Sequence, residues 1–405
     1  MAPSLSLTAY LAFARRESSH WQQPDRLRPD GTLIWVHCAV ASDAIAMVQL
    51  GRKLATQRDD GHVILTVSAV KERPLGVPDC VQFVELPSEN PADVSRFFHH
   101  WEPDVLLWKG PAVRPALISG AHERGIPSFL IDADELDLEH RNWRWLPDSL
   151  KPTLQLFTKI YAHDSASGFR LRRMLGMEAQ VEDSGPLLED SPALNCSESD
   201  LDDLSDSLTA RPVWLAARIQ PEELNIVLTA QRATMRLSPR LLLMIVPDRP
   251  EQAAAIRTEC EAQKWRVSHW DDAEMPEERT QILLAENAEE LGLFYRVAPI
   301  TLLGSSLVSG HGGRNPFEPA ALGSAVLYGP GVRQHLQAYS RLARAGAARI
   351  VKDVESLSAA LASLMAPDKV AKMVHAGWET VSEGAMVTDH ILEQINETLD
   401  QKDAK

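Results

Sequence analysis

Short apolar segments rich in β-branched residues alternate with helix-forming segments along most of this chain. In the first half the candidate strands are TLIWVHCAV, HVILTVSA, VQFVEL, DVLLWK, SFLIDA and KIYAHD. In the second half they are PVWLAA, RLLLMIVP, WRVSHW, TQILLA, ITLLGS and AVLYGP. Alternation at this spacing is typical of parallel βαβ units. The sequence therefore predicts an α/β fold with doubly wound parallel sheets.

An acidic, serine-rich stretch separates two runs of this alternation. Residues 191–210 read SPALNCSESDLDDLSDSLTA, which is typical of a linker with one helical turn. The predicted organisation is an N-terminal lobe over 1–190, an acidic linker over 191–210 and a C-terminal lobe over 211–405. Doubly wound lobes bind ligands outside the carboxyl ends of their strands. The candidate loops are therefore those after WVHCAV, DVLLW, WLAA, MIVP, TLLGS and VLYGP.

The overall charge and the cysteine pattern exclude several classes of protein. The formal net charge of −15 argues against a nucleic-acid-binding protein, which usually presents a basic face. The four cysteines contain no CxxC pair, so neither a disulfide framework nor a zinc site is predicted. His37 and the pair His99–His100 have no ligand partner at helical or strand spacing. We therefore expect no bound metal and a reducing compartment.

No apolar run in the sequence is long enough for a transmembrane helix, which needs about 18 residues or more. The N-terminal segment LSLTAYLAFARR lacks the features of a signal peptide. Two interpretations stay open for it: a short helix packed on the protein, or a helix lying at a membrane interface. The stretch HRNWRW, residues 140–145, similarly fits a contact with lipid headgroups or a solvated face that buries its tryptophans.

The most informative stretch is LLGSSLVSGHGGRNPFEPAALGSAVLYGP, residues 302–330. Gly312 and Gly313 allow close approach of the backbone to a ligand. Pro316 fits the first turn of the following helix, whose free N–H groups can hold a phosphate. Glu318 lies in the same turn and is placed to accept hydrogen bonds from a ribose diol. The alternative is a glycine-rich loop that caps a helix, with Glu318 complementing the helix dipole.

Several blocks of the sequence together resemble the 3-deoxy-D-manno-octulosonic acid (Kdo) transferases. GGRNPFEPAALGSAVLYGP resembles the family's sugar-nucleotide loop, GGHNPLEPAALGKPVLFGP. RPVWLAA, IVPDRPE and ENAEELGLFYRVAPITLLGSSLV resemble other blocks of its C-terminal half. IWVHCAVASD and RRMLGMEAQVEDSGPLLED resemble blocks of its N-terminal half. The similarity runs in the same order from about residue 32 to about residue 395.

The resemblance implies a GT-B fold, with two Rossmann-like lobes facing a central cleft. It implies a glycosyltransferase that moves Kdo, or a similar CMP-activated acidic sugar, from the CMP-sugar to a lipid A precursor in lipopolysaccharide biosynthesis. No cofactor is implied, and a peripheral protein on the cytoplasmic face of the bacterial inner membrane, or in the cytoplasm, is expected. The CMP site implied by position comprises Pro247, Asp248, Arg249, Ala288, Glu289, Glu290, Asn315, Pro316, Phe317 and Glu318.

The chain departs from the family at the positions implied to carry catalysis. Asp43 stands where the family has the glutamate that acts as general base, and its side chain is one methylene shorter. The alternative role for Asp43 is a helix cap after a strand. The block WKGPAVRPAL has Gly110 and Ala112 at two glutamate positions and Arg114 at a tryptophan position. Leu188 stands where the family has a lysine.

The donor lobe differs from the family mainly in its charges. Asp248 replaces an arginine, and Arg249 carries a guanidinium one position later. Gln220 replaces a histidine, and Arg218 adds a positive charge in the same loop. Three hypotheses follow: a Kdo transferase with Asp43 as base, a paralogue that binds nucleotide or lipid without turnover, and a transferase with a changed donor or acceptor. In the third hypothesis, Lys109, Arg114 and Arg218 alter the charge of the cleft.

Overall fold

The chain folds into two compact units. The computed structural model describes residues 4–58, 60–68, 72–74, 76–138, 149–188, 194–208 and 211–403. The first unit comprises residues 1–190 and 384–405, and the second comprises residues 191–383. The stretch 140–145, for which a lipid contact was considered, lies outside the described residues.

The first unit contains helices and strands in alternation. Its strands are β1 (Leu33–Cys38), β2 (His62–Val67), β3 (Gln82–Phe83), β4 (Val105–Lys109), β5 (Ala112–Val113), β6 (Ser128–Ala133), β7 (Asp137–Leu138), β8 (Lys159–Ala162) and β9 (Val181–Asp183). Its helices are α1 (Leu5–Ala14), α2 (Ala44–Thr56), α3 (Pro91–Trp101), α4 (Pro115–Glu123), α5 (Leu150–Leu154) and α6 (Ser165–Leu175).

Seven strands of the first unit form one parallel sheet, in the order β3-β2-β1-β4-β6-β8-β9. Successive residues of a strand point to opposite faces, and both faces of this sheet are covered. In β1, Leu33 and Trp35 belong to one apolar cluster, whereas Ile34 and Val36 belong to the other. This two-sided burial explains why the strands read as continuous apolar runs in the sequence.

The N-terminal helix of the first unit packs on the protein. Helix α1 contacts α4 and α5, and it buries Leu7, Tyr10 and Ala14 while Leu5 remains 90% exposed. Helix α3 begins with Pro91 after Asn90, whose side chain accepts a hydrogen bond from the Ala92 N–H. Such starts are typical of the Asn-Pro pair, because proline lacks the N–H that would otherwise need a partner.

The second unit repeats the same architecture. Its strands are β10 (Val213–Ile219), β11 (Leu242–Pro247), β12 (Val267–His269), β13 (Ile282–Leu284), β14 (Ile300–Leu303), β15 (Ala325–Tyr328) and β16 (Ala348–Ile350). Its helices are α7 (Glu198–Leu208), α8 (Leu224–Thr234), α9 (Ala253–Ala262), α10 (Leu291–Val297), α11 (Phe317–Ala321), α12 (Leu336–Ala345) and α13 (Val354–Leu364). The strands form a seven-stranded parallel sheet in the order β12-β13-β11-β10-β14-β15-β16.

A long C-terminal helix, α14 (Pro367–Asp403), contributes to both units. Its last part supplies Ile391, Leu392, Ile395 and Leu399 to an apolar cluster of the first unit. Their spacing places them on one face of the helix, which is the face that the first unit buries. The expected C-terminal lobe, residues 211–405, differs from the second compact unit, which spans residues 191–383, since residues 384–405 belong to the first unit.

Two further segments differ from the sequence-based expectations. Within the expected linker, residues Glu198–Leu208 form a helix of 11 residues that buries Leu204 and Leu208. The acidic composition obscured this helix because only its three leucines, which are three and four positions apart, mark an apolar face. Helix α11 begins at Phe317, after Pro316, and contains only five residues.

Candidate functional site

The centre of the second sheet has the geometry of a ligand site. The strand order reverses at β10 and β14, which are neighbours in the sheet. In doubly wound sheets such a reversal opens a crevice outside the carboxyl ends of the two strands. Here the flanking segments are the loop from Arg218 to Glu223 and the glycine-rich loop that begins at Gly304. All loops expected to bind the donor leave this same edge, because every strand pair is parallel.

Glu223 fixes the two loops to each other. This fully buried carboxylate accepts hydrogen bonds from the N–H groups of Ser305, Ser306 and Leu307 at 2.7–2.9 Å, and from that of Gln220 at 3.0 Å. Sequence reasoning missed Glu223 as a site residue. The available signal was the segment QPEE after a strand, since a glutamate three residues after a polar residue is a helix-start pattern.

Asp248 and Arg314 form a bidentate ion pair within the second unit. Arg314 Nε and Nη2 donate to the two carboxylate oxygens of Asp248 at 2.8 and 2.6 Å. Gln220 Nε2 also donates to Asp248, at 3.0 Å. Asp248 stands at a family arginine position, and Arg314 stands at the histidine of GGHNP. The Arg314 guanidinium therefore holds Asp248 across the two loops.

The backbone conformation of the glycine-rich loop requires glycine at two consecutive positions. Gly312 and Gly313 have φ values of +81° and +82°, in the region that favours glycine. A Cβ atom on Gly312 would lie 2.6 Å from the Gln334 side chain, and one on Gly313 would lie 3.1 Å from Val332. The glycines therefore let this loop pack closely on the segment after β15.

The predicted phosphate site at the start of α11 is weakened by the structure. The helix has five residues, too few for a strong dipole, and the Phe317 N–H is already bonded to Asn315 Oδ1 at 2.9 Å. Asn315, which precedes the N-cap residue Pro316, thus accepts from the first N–H of this short helix. Its side-chain amide N–H groups make no hydrogen bond among the residues that the structure describes.

Glu318 and Arg218 are two charged side chains without a protein hydrogen bond in the described part of the chain. Glu318 is half-buried. Burial raises the pKa of its carboxyl, and the positive charges of Arg218, His335 and Arg314 oppose that shift. Arg218 is also half-buried and has a φ of +56°, at an irregularity where β10 pairs with β11. Backbone conformations of this kind in non-glycine residues often occur at functional sites.

The remaining predicted donor residues lie on the same edge of the second sheet. Pro247 ends β11 and is buried, whereas Arg249 is exposed. Ala288, Glu289 and Glu290 precede α10, and burial raises the pKa of the Glu290 carboxyl. Among the predicted donor residues, Asp248 is therefore paired with Arg314 within the protein. Glu318 is the predicted residue whose carboxylate is best placed to accept a hydrogen bond from a ligand.

Asp43 lies at the corresponding reversal of the first sheet, between β1 and β4. It ends a single 3₁₀ turn and precedes α2, and its side chain is 9% exposed. Lys109 Nζ, at the end of β4, is 3.8 Å from Asp43 Oδ1. Within the described residues, the Asp43 side chain makes no capping hydrogen bond to α2. Its close neighbour is therefore a buried ammonium group.

Lys109 belongs to a larger charged cluster that sequence reasoning did not identify. Lys109 Nζ lies 2.5 Å from Asp132 Oδ2, and Asp132 Oδ1 lies 2.6 Å from His163 Nδ1. Burial lowers the pKa of Lys109, but the charges of Asp132 and Asp43 outweigh burial and raise it. Burial raises the pKa of Asp132, but Lys109 and His163 outweigh burial and lower it. Lys109 and Asp132 are therefore both charged at neutral pH.

Gly110, Arg114 and Leu188 occupy positions at which the resemblance implies other side chains. Gly110 has a φ of +127°, and a Cβ atom there would lie 2.4 Å from Ala39 Cβ. Arg114 is buried and donates to the Pro87 carbonyl at 2.8 Å. The Leu188 side chain lies against Gly384. At Gly110, therefore, a larger side chain requires a local change of the backbone or of Ala39.

No metal centre is evident in the described ranges of the chain, where no group of three or more ligand-type side chains converges. His37 is buried, packs on the Trp108 ring and is bonded to Thr66. Burial lowers its pKa, so His37 is a neutral core residue. Among the helices that the structure describes, none is both long and apolar enough to cross a bilayer.

The fold of this chain is similar to that of a solved structure. A crystal structure of MurG from Acinetobacter baumannii matches with a TM-score of 0.50 at 13% identity, over 90% of this chain and 99% of that one. At this identity the likeness concerns the fold alone. It confirms the predicted GT-B architecture of two Rossmann-like α/β lobes.

Comparison with known sequences shows similarity to one group of transferases. Residues 12–189 match the family described as 3-deoxy-D-manno-octulosonic-acid transferase (kdotransferase). The 3-deoxy-D-manno-octulosonic acid transferase of Haemophilus influenzae is 26% identical over 91% of this chain and 87% of its own length. That of Bordetella pertussis is 25% identical over 92% and 91%, respectively. With the ordered motifs, these matches show that the chain is similar to 3-deoxy-D-manno-octulosonic acid transferases over most of its length.

Proposed function

We propose that this protein transfers Kdo, or a similar CMP-activated acidic sugar, to a lipid A precursor in lipopolysaccharide biosynthesis. The observation that carries the proposal is the pair Glu318 and Arg218 at the strand reversal of the second sheet. Both side chains are half-buried, and both lack a protein hydrogen bond in the described residues. Full-length similarity to relatives named as 3-deoxy-D-manno-octulosonic acid transferases supports the same function.

The donor half of the reaction follows from the charges of this pair. The Glu318 carboxylate accepts hydrogen bonds from the ribose hydroxyls of CMP, as the family loop implies. The Arg218 guanidinium faces the phosphate and stabilises the negative charge that grows on CMP as it leaves. Glu223, with its four backbone N–H partners, keeps the two loops at a fixed separation.

The acceptor half of the reaction requires a group that takes the proton of the attacking hydroxyl. Asp43 stands at the position of the family's catalytic glutamate and is the first candidate by sequence. It shares a cluster with Lys109, Asp132 and His163 in the first unit. We propose that the protein works as a peripheral protein on the cytoplasmic face of the inner membrane, where a lipid A precursor is accessible. Release of the protein from membranes by salt or carbonate tests this location, and retention until detergent is added contradicts it.

A second candidate function is nucleotide binding without turnover. The backbone at Gly110 favours it, because a φ of +127° and the 2.4 Å approach to Ala39 leave no place for the family's glutamate. The family's lysine is also absent, since Leu188 occupies its position. Loss of one group that stabilises a transition-state charge costs about 10²–10³ in rate. The third hypothesis, a changed donor or acceptor, now rests on Arg218, because Arg114 and Lys109 are both buried and bonded within the protein.

Two measurements test the proposed function. Calorimetry should show CMP binding that Glu318→Ala weakens by about 1–3 kcal/mol, the scale of a hydrogen bond to a charged group. Glu261→Ala, at an exposed glutamate of the same unit, should leave the affinity unchanged. CMP release from CMP-Kdo in the presence of a lipid A precursor then distinguishes the two candidates. Release supports the transferase, whereas CMP binding without release supports the binding protein.

A further inference from the structure

His163 is the most accessible member of the charged cluster in the first unit. It directly follows β8, and its backbone N–H donates to the Ala133 carbonyl at 2.8 Å. Its side chain is 42% exposed, whereas those of Asp132 and Asp43 are each 9% exposed. An acceptor hydroxyl that approaches this edge of the sheet therefore reaches the imidazole more readily than either carboxylate.

The backbone conformation at Asp132 is unusual, and its carboxylate contacts both His163 and Lys109. Asp132 has a φ of +58°, although it lies within β6. The pairing of β6 with β8 shifts register between Leu130 and Ala133, which includes this residue. Irregularities of this kind redirect a side chain and are common beside active sites. The result is one carboxylate shared by a histidine at 2.6 Å and a lysine at 2.5 Å.

The hydrogen bond to Asp132 also selects the useful tautomer of His163. A carboxylate only accepts, so Nδ1 carries the proton in the neutral imidazole and Nε2 keeps its lone pair. Nε2 has no protein partner among the described residues. An imidazole oriented by a carboxylate at one nitrogen and open at the other is the usual arrangement of a general base.

The charges of the cluster favour a proton on His163. Asp43 and Asp132 contribute two negative charges and Lys109 one positive charge, which leaves one net negative charge. Asp134 and Asp164 also face the imidazole and add to this effect. The hydrogen bond to Asp132 raises the pKa of His163 most, and burial opposes the shift. By contrast, the Asp43 carboxylate is almost fully buried and lies 3.8 Å from the Lys109 ammonium.

We propose that His163, oriented by Asp132, is the general base of the sugar transfer, and that Lys109 and Asp43 are positioning residues. This inference rests on the proposed function. The hydroxyl oxygen of the acceptor forms a bond to the anomeric carbon while its proton moves to His163 Nε2. The bond from that carbon to the CMP phosphate oxygen breaks, and CMP leaves with the electron pair. The protonated imidazole then gives its proton to water.

The first test compares His163→Gln with His122→Gln, which removes an exposed histidine of the same unit. CMP release from CMP-Kdo with a lipid A precursor should fall by about 10²–10⁴-fold in His163→Gln. CMP affinity should stay at the wild-type value, the melting temperature should match that of wild type at a pH above the pKa of His163, and His122→Gln should be unchanged in all three. Equal rates in His163→Gln and wild type would overturn the inference while leaving the proposed function intact. No release by the wild-type protein would overturn both.

The pH dependence of the transfer rate distinguishes a general base from a residue with a structural role only. A base must be neutral, so the wild-type rate should fall as the pH drops through the pKa of His163. Asp132→Asn should move this acidic limb to lower pH, because the carboxylate that raises the pKa is gone. In His163→Ala, added imidazole should restore part of the rate through the space left open. A limb that stays in place in Asp132→Asn, or no response to imidazole in a folded His163→Ala, contradicts the assignment.

Discussion

The two units have polar side chains at equivalent edges of similar sheets, but they differ in whether those side chains are paired within the protein. In the first unit, Lys109 is buried between Asp132 and Asp43, and these charges are paired within the protein. In the second unit, Arg218 and Glu318 stay half-buried and have no protein hydrogen bond in the part of the chain that the structure describes. Charges paired inside a protein stabilise a geometry, whereas charges held without partners are available to a ligand.

The second unit contains charges that are paired within the protein as well as charges that lack a protein hydrogen bond in the described residues. The pair Asp248–Arg314 and the carboxylate of Glu223 are fully used by the protein, and they surround the loop that presents Glu318. The first unit contains one exposed member in its paired cluster, His163. Each unit thus combines buried charged residues that are bonded within the protein, here called the support, with a few side chains that are accessible to a ligand. The following variants separate the support from the accessible groups.

Glu223→Ala should have the largest effect on stability. It removes the acceptor of four backbone N–H groups, and each buried N–H left without a partner costs about 1–3 kcal/mol. We expect a loss of about 5 kcal/mol in the free energy of unfolding, measured by urea titration. Glu222→Ala, at the exposed neighbouring position, should stay within about 0.5 kcal/mol of wild type. A small effect of Glu223→Ala would show that the loops are held by other contacts.

Lys109→Met should have the next largest effect. It leaves Asp132 and Asp43 buried without their ammonium partner, which typically costs about 3–5 kcal/mol. Asp132→Asn in the same chain should recover part of the lost unfolding free energy, because it removes one of the stranded charges. Lys151→Met replaces an exposed lysine of the same unit and should be neutral. Additive losses in the double variant would contradict the pairing of Lys109 with Asp132.

Arg218→Gln should affect binding without affecting stability. Its guanidinium makes no hydrogen bond in the described residues, so the free energy of unfolding should change by less than about 0.5 kcal/mol. The Kd for CMP should rise by about tenfold or more, which corresponds to about 1.5–3 kcal/mol for a charged hydrogen bond. Arg279→Gln, at an exposed arginine of the second unit, should leave the Kd unchanged. Loss of stability in Arg218→Gln would place this arginine with the paired charges.

The smallest effect is expected in the pH dependence of stability. Asp132 raises the pKa of His163 above its unfolded value, so the folded state binds a proton more tightly. The stabilisation is fully present below the unfolded pKa of about 6.5 and is lost as pH rises through the folded pKa. The difference in unfolding free energy between wild type and His163→Gln should therefore shrink with rising pH. The same difference for His122→Gln should stay flat, and a flat response for both would contradict the Asp132 contact.

The sequence predicted most strands of both sheets, and the structure confirms them where the apolar run is long. SFLIDA corresponds to β6 without change, whereas VQFVEL retains only Gln82–Phe83 as a strand. The long strands were predictable because burial on both faces gives a continuous apolar signal. The helix Glu198–Leu208 and the return of residues 384–405 to the first unit were not, because each depends on packing partners that are distant in the sequence.

By itself, the sequence determined the α/β class, the resemblance to the Kdo transferases and the glycine-rich loop, because local patterns specify each of these. Gly312 and Gly313 signal their positive φ values directly, and Glu318 follows them by a few residues. Only the tertiary structure brought together Lys109 with Asp132, and Asp132 with His163, across 23 and 31 positions. These contacts depend on the parallel alignment of β4, β6 and β8 and on the irregularity at Asp132. Such an irregularity arises from the pairing of two strands, so no single segment of the sequence specifies it.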